Sequence, residues 1–159
     1  MKNKIFDCIT FFDNNFMFDL RYNILKNYVD YFIICESKFD HKGNKKKINF
    51  IKNKEYDFNK VKYFVLNEPF PTDNNVWSNQ AIQREFLLNC TDIAEPEDYI
   101  FFSDPDEIPR PEILINFELK KKYGIFKQKC FNFKFNLFNH YESPWEGTRV
   151  AKKKNLKSI

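Results

Sequence analysis

Closely spaced cysteines are absent from this chain of 159 residues. The four cysteines lie far apart and form no C-x-x-C pair, so the sequence carries neither the usual signal of a zinc site nor that of a redox motif. We expect them to be buried free thiols in a reducing compartment. They are Cys8, Cys35, Cys90 and Cys130.

Long apolar runs are absent too. No stretch is long enough to cross a bilayer, and Met1 to Lys4 lead directly into a strand-like run instead of a signal peptide. We therefore expect a chain in the cytoplasm, without a membrane span. The net charge of +4 comes partly from scattered lysine runs, which are typical of solvated loops and helix ends, so nucleic acid is not an expected partner.

Composition and length predict one folded domain. Hydrophobic residues make up 43% of the chain and charged residues 30%, as is usual for soluble globular proteins. A chain of 159 residues has room for one good core but not for two, and it shows no internal repeat and no linker. We expect a single domain over residues 1–159.

Hydrophobic periodicity alternates between strand and helix along the chain. Short apolar runs rich in β-branched and aromatic residues predict strands, and apolar residues at helical spacing between them predict helices that pack on a sheet. The opening β-α-β unit implies a parallel pair of strands, whereas the long alternating segment 125–138 predicts an antiparallel strand. We therefore predict an α/β fold with a single mixed, mostly parallel sheet flanked by helices. The predicted strands are 5–12, 31–35, 61–66, 99–102, 125–138 and 148–151, and the predicted helices are 16–29, 76–93 and 111–122.

Three acids follow the predicted strand at 99–102. Asp104, Asp106 and Glu107 stand where this strand leaves the core, and Pro105 favours an extended backbone at Asp104. In open α/β sheets, ligands bind at the carboxyl ends of strands. Two aspartates separated by one residue can both face a Mg²⁺ or Mn²⁺ ion that carries a diphosphate. The alternative is a strand-to-helix corner in which Asp and Pro serve only turn chemistry.

Two further polar residues are candidates for substrate binding. Glu36 follows the second strand, where an acid can hold a nucleotide ribose or base edge, or can simply end the strand. Arg84 lies near the polar side of the predicted helix 76–93, and its guanidinium suits two phosphate oxygens. The alternative for Arg84 is a surface ion pair with Glu85 or Asp92.

Four segments, in order along the chain, carry a family resemblance. They are 5–12 (IFDCITFF), 29–37 (VDYFIICES), 80–85 (QAIQRE) and 103–109 (SDPDEIP), the last of which contains a D-x-D motif. Together they resemble glycosyltransferase family 17, which contains the β-1,4-mannosyl-glycoprotein 4-β-N-acetylglucosaminyltransferases. Four ordered segments are far more specific than a lone D-x-D.

The resemblance implies a metal-dependent, inverting transfer of N-acetylglucosamine, or a related sugar, from a UDP-sugar to a glycan acceptor, as in N-glycan processing. It implies a GT-A-like domain, in which a Rossmann-like unit binds the nucleotide sugar. It assigns Asp106 to a Mn²⁺ or Mg²⁺ ion, and Asp104 to the sugar nucleotide beside the same metal. It also supports Arg84 as a diphosphate contact and Glu36 as a substrate contact.

An inverting transfer needs a carboxylate base for the acceptor hydroxyl. Glu107, Glu142 and Glu146 are the candidates, and the sequence does not choose among them. The ring of Trp145 could stack on a sugar face, or it could fill a core or turn position. His140 could add a metal ligand, or it could be structural.

Chain length leaves a second hypothesis. Family 17 domains continue well past the length of this chain, so the resemblance implies that the C-terminal part of the domain, which should carry acceptor-binding groups, is missing. The second hypothesis is therefore a truncated, non-catalytic domain that binds a nucleotide sugar or a partner. An Asp-nucleophile phosphatase is disfavoured, because its D-x-D motif follows an early strand and has Thr or Val where this chain has Ile108.

Overall fold

The computed structural model describes residues 3–73, 75–133 and 136–159. In these residues, six strands form a single sheet in the order β3-β2-β1-β4-β6-β5. The strands are β1 (Ile5–Phe11), β2 (Tyr31–Ser37), β3 (Val61–Leu66), β4 (Tyr99–Ser103), β5 (Tyr123–Gln128) and β6 (Trp145–Lys152). The helices are α1 (Asn15–Leu25), α2 (Val76–Asn89) and α3 (Pro111–Leu114), and a short 3₁₀ turn covers Lys153–Asn155.

The sheet is mixed, and the prediction of a mostly parallel sheet is wrong. Strands β3, β2, β1 and β4 are parallel neighbours, whereas β6 is antiparallel to both β4 and β5. A parallel neighbour requires a crossover of a dozen or more residues, usually a helix. The chain after β4 has only the four residues of α3 in helical form and reverses through the connection from β5 to β6, so these two strands join the sheet as an antiparallel pair.

Buried hydrophobic residues pack on both faces of the sheet. On one face, Phe18 and Leu25 of α1 pack with Ile9 of β1, and on the other face Leu87 of α2 packs with Phe6. All seven residues of β1 are buried, as expected for a central strand that is covered on both faces. The predicted β-α-β opening is therefore confirmed, while the GT-A-like assignment stays a prediction.

The four cysteines are all free. Cys8, Cys35 and Cys90 are buried, as predicted, whereas Cys130 is only half-buried. Burial raises the pKa of the Cys8 and Cys35 thiols above their ordinary value, and it raises that of Cys90 to about 12. The three buried cysteines therefore behave as small apolar core residues.

The helices predicted at 16–29 and 76–93 each end four residues early, at Leu25 and Asn89, and two other predicted elements lose more than half of their length. The helix predicted at 111–122 ends at Leu114, because the irregular chain beyond it places the ring of Phe117 on Tyr99 and Phe101, with centroid distances of 5.0 and 5.1 Å. The strand predicted at 125–138 ends at Gln128, opposite the first residue of β6. An alternation of apolar and polar residues does not show where the neighbouring strand, here β6, stops pairing with the segment. Part of that predicted strand, 134–135, lies outside the described residues.

Within the described ranges, no helix has the length and apolar character required to cross a membrane.

Candidate active site

The three acids after β4 border one open cleft. Asp104, Asp106 and Glu107 line a cavity of about 1310 Å³, and Leu20 of α1 and residues of the connection between β5 and β6 line it too. Strand β4 ends at Ser103, so the cleft lies at a carboxyl end of the parallel part of the sheet. This is where ligands bind in open α/β sheets.

Residues 104–107, here called the acidic turn, owe their shape to proline. Pro105 takes the second position of a tight turn, which its fixed φ favours, and the N–H of Glu107 closes the turn on the carbonyl of Asp104 at 3.0 Å. Strand β4 consists of Tyr, Ile, Phe, Phe and Ser and is buried throughout. The acidic turn therefore leaves a rigid strand and carries its carboxylates out of the core.

Arg21 binds the backbone of the acidic turn from inside the core. This residue of α1 is fully buried, and its Nε and Nη2 donate to the two carboxylate oxygens of Asp7 at 2.7 and 2.6 Å. Nη2 also donates to the hydroxyl oxygen of Ser103 at 2.6 Å. Nη1 lies 3.2 to 3.3 Å from the carbonyl oxygens of Asp104, Pro105 and Glu107. The guanidinium thus joins α1, β1, β4 and the acidic turn.

Glu107 connects the acidic turn to β6. Its Oε2 accepts the backbone N–H of Asp104 at 3.0 Å, and its Oε1 accepts the indole N–H of Trp145 at 2.6 Å. The Thr148 hydroxyl donates to the carbonyl oxygen of Glu107 at 2.7 Å. Both carboxylate oxygens of Glu107 are therefore engaged within the protein.

Arg84 is paired with Asp104. Its Nη2 lies 3.1 Å from one carboxylate oxygen of Asp104 and 3.3 Å from the other, and the guanidinium stands over the ring of Phe102 at 5.4 Å. Both side chains are partly exposed, 28% for Arg84 and 38% for Asp104. Among the described residues, Nε of Arg84 has no hydrogen-bond partner. Arg84 therefore forms its ion pair with an acid of the D-x-D motif, and not with Glu85 or Asp92, which the sequence suggested as alternative partners.

Asp106 is the uncommitted acid of the turn. It is exposed and borders the cleft, and within the described chain its carboxylate has no hydrogen bond or ion pair. No group of three or more His, Cys, Asp or Glu side chains in the described residues could hold a metal ion. Asp104 and Asp106 both border the cleft, and this pair of carboxylates fits a cation that takes one or two ligands from the protein and the others from a diphosphate and water. Asp106 can supply one carboxylate directly, and Asp104 can supply a second only by leaving Arg84.

The connection between β5 and β6 supplies another part of the cleft lining. Glu142 of this connection accepts a hydrogen bond from the side-chain amide of Asn139 at 2.8 Å, and Trp145, the first residue of β6, borders the cleft and is 46% exposed. The thiol of Cys130 also donates to Glu142, at 3.5 Å. Desolvation and this hydrogen bond raise the pKa of the Cys130 thiol.

Four candidates are not among the described residues that border the cavity: Arg84, which is connected to it through Asp104, and Glu36, Glu146 and His140. Glu146 is exposed on β6, in register with Lys127, and it is not among the described residues that border the cavity. His140 packs against the ring of Phe138 at 4.5 Å between centroids and does not border the described cavity either. The structure therefore brings Glu107 and Glu142 together with the D-x-D acids, but not Glu146.

Glu36 is fully buried at the end of β2, and four donors surround it. Its Oε1 accepts Lys46 Nζ and the backbone N–H of Asn49, the latter at 2.8 Å, and its Oε2 accepts the backbone N–H of Phe50 at 3.1 Å and the Tyr63 hydroxyl at 2.7 Å. Desolvation, together with the Glu36 hydrogen bond, raises the Tyr63 pKa. The carboxylate holds the segment after β2 in place and exposes no surface to the solvent.

Sequence reasoning missed Arg21, Asp7 and the role of Ser103. A signal was available, since Arg21 lies three residues after Phe18 and four before Leu25, on the apolar face of α1. A charged residue on a buried face must be paired and hydrogen-bonded. Asp7 is likewise the one acid inside the apolar first strand.

Comparison with known proteins gives one clear result. The model of glycosyltransferase family 17 matches residues 1–143. Neither the curated proteins nor the solved structures contain a match. Because the family match covers most of the 159 residues and includes the acidic turn, Arg21 and Arg84, the chain belongs to glycosyltransferase family 17 and is a glycosyltransferase, an enzyme type that moves a sugar from a donor to an acceptor.

Proposed function

We propose that the protein transfers N-acetylglucosamine, or a related sugar, from a UDP-sugar to a glycan acceptor, with inversion at the anomeric carbon and with Mn²⁺ or Mg²⁺. The observation that carries this proposal is the shared cleft of Asp104 and Asp106 at the carboxyl end of β4. Its volume of about 1310 Å³ exceeds the roughly 300–1,000 Å³ of a typical small-molecule site, which suits a donor and an acceptor together.

Asp106 is the residue that holds the metal. Its exposed carboxylate has no hydrogen bond or ion pair within the described residues, so metal binding breaks no existing contact. A bound cation would neutralise the negative charge that develops on the leaving diphosphate. The absence of a three-ligand group among the described residues supports a cation that arrives with the donor rather than a permanent metal.

Arg84 and Asp104 form the donor-binding pair. Arg84 does not border the described cavity itself, but it is partly exposed and is bonded to Asp104, which does. Its buried Nε–H has no partner in the described chain, so turning the guanidinium toward a diphosphate would give this donor an acceptor. A guanidinium that turns toward the diphosphate releases Asp104, whose carboxylate is then available to a sugar hydroxyl or to the metal. This exchange costs little, because an ion pair between partly exposed side chains is weak.

Glu142 is the best placed carboxylate base. Glu107 has both oxygens engaged, and Glu146 does not border the described cavity. Glu142 borders the cleft, and only its Oε2 accepts hydrogen bonds within the described residues. The half-exposed ring of Trp145, fixed by its bond to Glu107, offers an apolar face to a sugar.

Glu36 has a different role in this proposal. Its carboxylate is saturated by four donors, so it holds the segment around Asn49 in place and does not touch the substrate.

Calorimetric titration with UDP-GlcNAc, with and without Mn²⁺, together with a UDP-release assay, tests the proposal. We expect metal-dependent binding, and UDP release that increases with a glycan acceptor. Binding without release would support the non-catalytic alternative, and the absence of binding would refute the donor assignment.

Two variants test the residue roles. Asp106→Asn should weaken metal-dependent binding by more than the roughly 10- to 100-fold that loss of a group supporting a metal ligand typically costs, whereas Glu142→Gln should preserve binding and slow transfer by about 10²–10⁴. Asp92→Asn, an exposed acid just after α2 that does not border the described cavity, is the matched control and should behave like the wild type. Metal-dependent binding that survives in Asp106→Asn would show that another residue holds the cation.

A further inference from the structure

A buried charged residue, Arg21, contacts the backbone of the candidate site. The side chains of Arg21 and Asp7 are 0% and 1% exposed, and Asp7 neutralises the guanidinium through two hydrogen bonds. Removing such a pair from water is expensive, and apolar residues of similar volume often stabilise a fold as well or better. The ion pair with Asp7 therefore does not by itself explain why an arginine occupies this position.

The other contacts of the guanidinium lead to the acidic turn. Nη1 of Arg21 is within 3.2 to 3.3 Å of three carbonyl oxygens of the turn, and Nη2 is 2.6 Å from Ser103 Oγ, immediately before it. The backbone of the turn therefore curves around one cation with its carbonyls inward. The side chains of Asp104 and Asp106 border the cleft.

We infer that Arg21 is a positioning residue for the transfer reaction: its guanidinium fixes the acidic turn in the conformation that presents Asp104 and Asp106 to the donor. The inference rests on the proposed function. Lysine has the same charge but offers three donors from one point, so it cannot reproduce the planar fork of five N–H groups. Groups that support metal-binding carboxylates in this way are worth about 10- to 100-fold in metal affinity or activity.

Arg21→Lys and Ser103→Ala test this inference in the full chain. The first keeps the charge next to Asp7 and loses the fork, and the second removes one acceptor of Nη2. Leu25→Val is the matched control, because Leu25 is fully buried on the same helix and belongs to the core cluster of α1. It should reduce stability without a direct effect on the acidic turn.

Two measurements are made on each variant. Amide hydrogen exchange of residues 104–108 reports on the turn, since the N–H groups of Asp104, Glu107 and Ile108 are bonded within it. The Mn²⁺ concentration that half-saturates UDP release from UDP-GlcNAc reports on the presentation of the carboxylates. We expect faster exchange of this segment in both test variants, and a half-saturating Mn²⁺ concentration that rises about 10- to 100-fold in Arg21→Lys, with a smaller rise in Ser103→Ala.

The controls separate the possible outcomes. Leu25→Val should lower the melting temperature and leave both readouts of the turn at wild-type values. If Arg21→Lys does not fold, Ser103→Ala decides the question. A wild-type protein that does not bind UDP-GlcNAc refutes the proposed function, while amide exchange still shows whether Arg21 holds the turn. Unchanged exchange in 104–108, or an unchanged Mn²⁺ requirement in a folded Arg21→Lys, would overturn the inference.

Discussion

Replacing Glu36 by glutamine should destabilise the protein strongly while leaving donor binding nearly intact. The carboxylate is fully buried and accepts four donors: Lys46 Nζ, two backbone N–H groups and the Tyr63 hydroxyl. Glutamine keeps one acceptor oxygen and replaces the other with an NH₂ group, which is itself a donor. If the NH₂ faces Lys46 and Asn49, both of those donors lose their acceptor. If it faces Tyr63, whose hydroxyl can also accept, only the N–H of Phe50 is left without a partner.

The size of the effect follows from these contacts. A hydrogen bond to a charged group contributes about 1.5–3 kcal/mol, so one or two lost bonds cost roughly 1.5–6 kcal/mol of unfolding free energy. Such a loss is a large part of the roughly 5–15 kcal/mol that stabilises a typical domain. At about 2–4 °C per kcal/mol for a domain of this size, the melting temperature should fall by roughly 3–24 °C.

Urea unfolding followed by circular dichroism measures the loss, and Tyr63→Phe provides the matched control. That variant removes one of the four donors and leaves the charge in place, so it should cost about 1.5–3 kcal/mol, no more than the glutamine variant. Calorimetry with UDP-GlcNAc and Mn²⁺ on the folded Glu36→Gln protein should show little change in affinity. A variant that keeps its stability to within about 1 kcal/mol and loses donor binding would refute the anchoring role and make Glu36 a substrate contact, as the sequence suggested.

Three further predictions concern charge and reactivity. Asp7→Ala leaves its guanidinium partner buried and unpaired, so thermal unfolding should reveal a loss of about 3–5 kcal/mol, and a loss below about 1 kcal/mol would contradict the burial argument. Hydrogen bonds from Lys152 and Lys154 lower the pKa of Glu97 to about 2 from an ordinary 4.5, so the stability that this carboxylate contributes is present above pH 4.5 and is lost between pH 4.5 and 2. Urea unfolding of wild type and Glu97→Gln should therefore differ at neutral pH and converge near pH 2, and a constant difference would exclude the pair as the cause. Cys130 should be the one thiol that reacts with a disulfide reagent in the native protein, slowly because its pKa is raised, and UDP-GlcNAc with Mn²⁺ should protect it because it borders the cleft; equal reactivity of all four thiols would contradict this.

Local sequence patterns predicted the parallel half of the fold well. The strand at Val61–Leu66 has the predicted bounds, and β1, β2 and β4 differ from theirs by one or two residues at one end. These strands are continuous apolar runs between turn residues, a pattern that burial on both faces produces. The half after β4 was harder. The packing of Phe117 on the sheet ended a helix that periodicity had extended, and the pairing of β5 with β6 ended a strand inside an alternating segment.

The candidate site divides in the same way. The sequence identified Asp104, Asp106 and Glu107 because Pro105 and the buried strand before them define where the chain leaves the core. It also picked out Arg84, although not its partner Asp104, which lies 20 residues away along the chain. It could not show that Glu36 is saturated by hydrogen bonds from two separate parts of the chain, residues 46–50 and Tyr63 of β3.

By itself, the sequence determined the family, the alternation of strands and helices, and the position of the acidic residues after β4, because each of these depends on residues that are close together along the chain. Only the tertiary structure decided which acids are free and which are engaged. Arg21 meets the acidic turn across more than 80 residues of chain, and Glu107 meets Trp145 across 38, so their hydrogen bonds exist only once the sheet has assembled. The free carboxylate of Asp106 is what remains after those long-range bonds have formed.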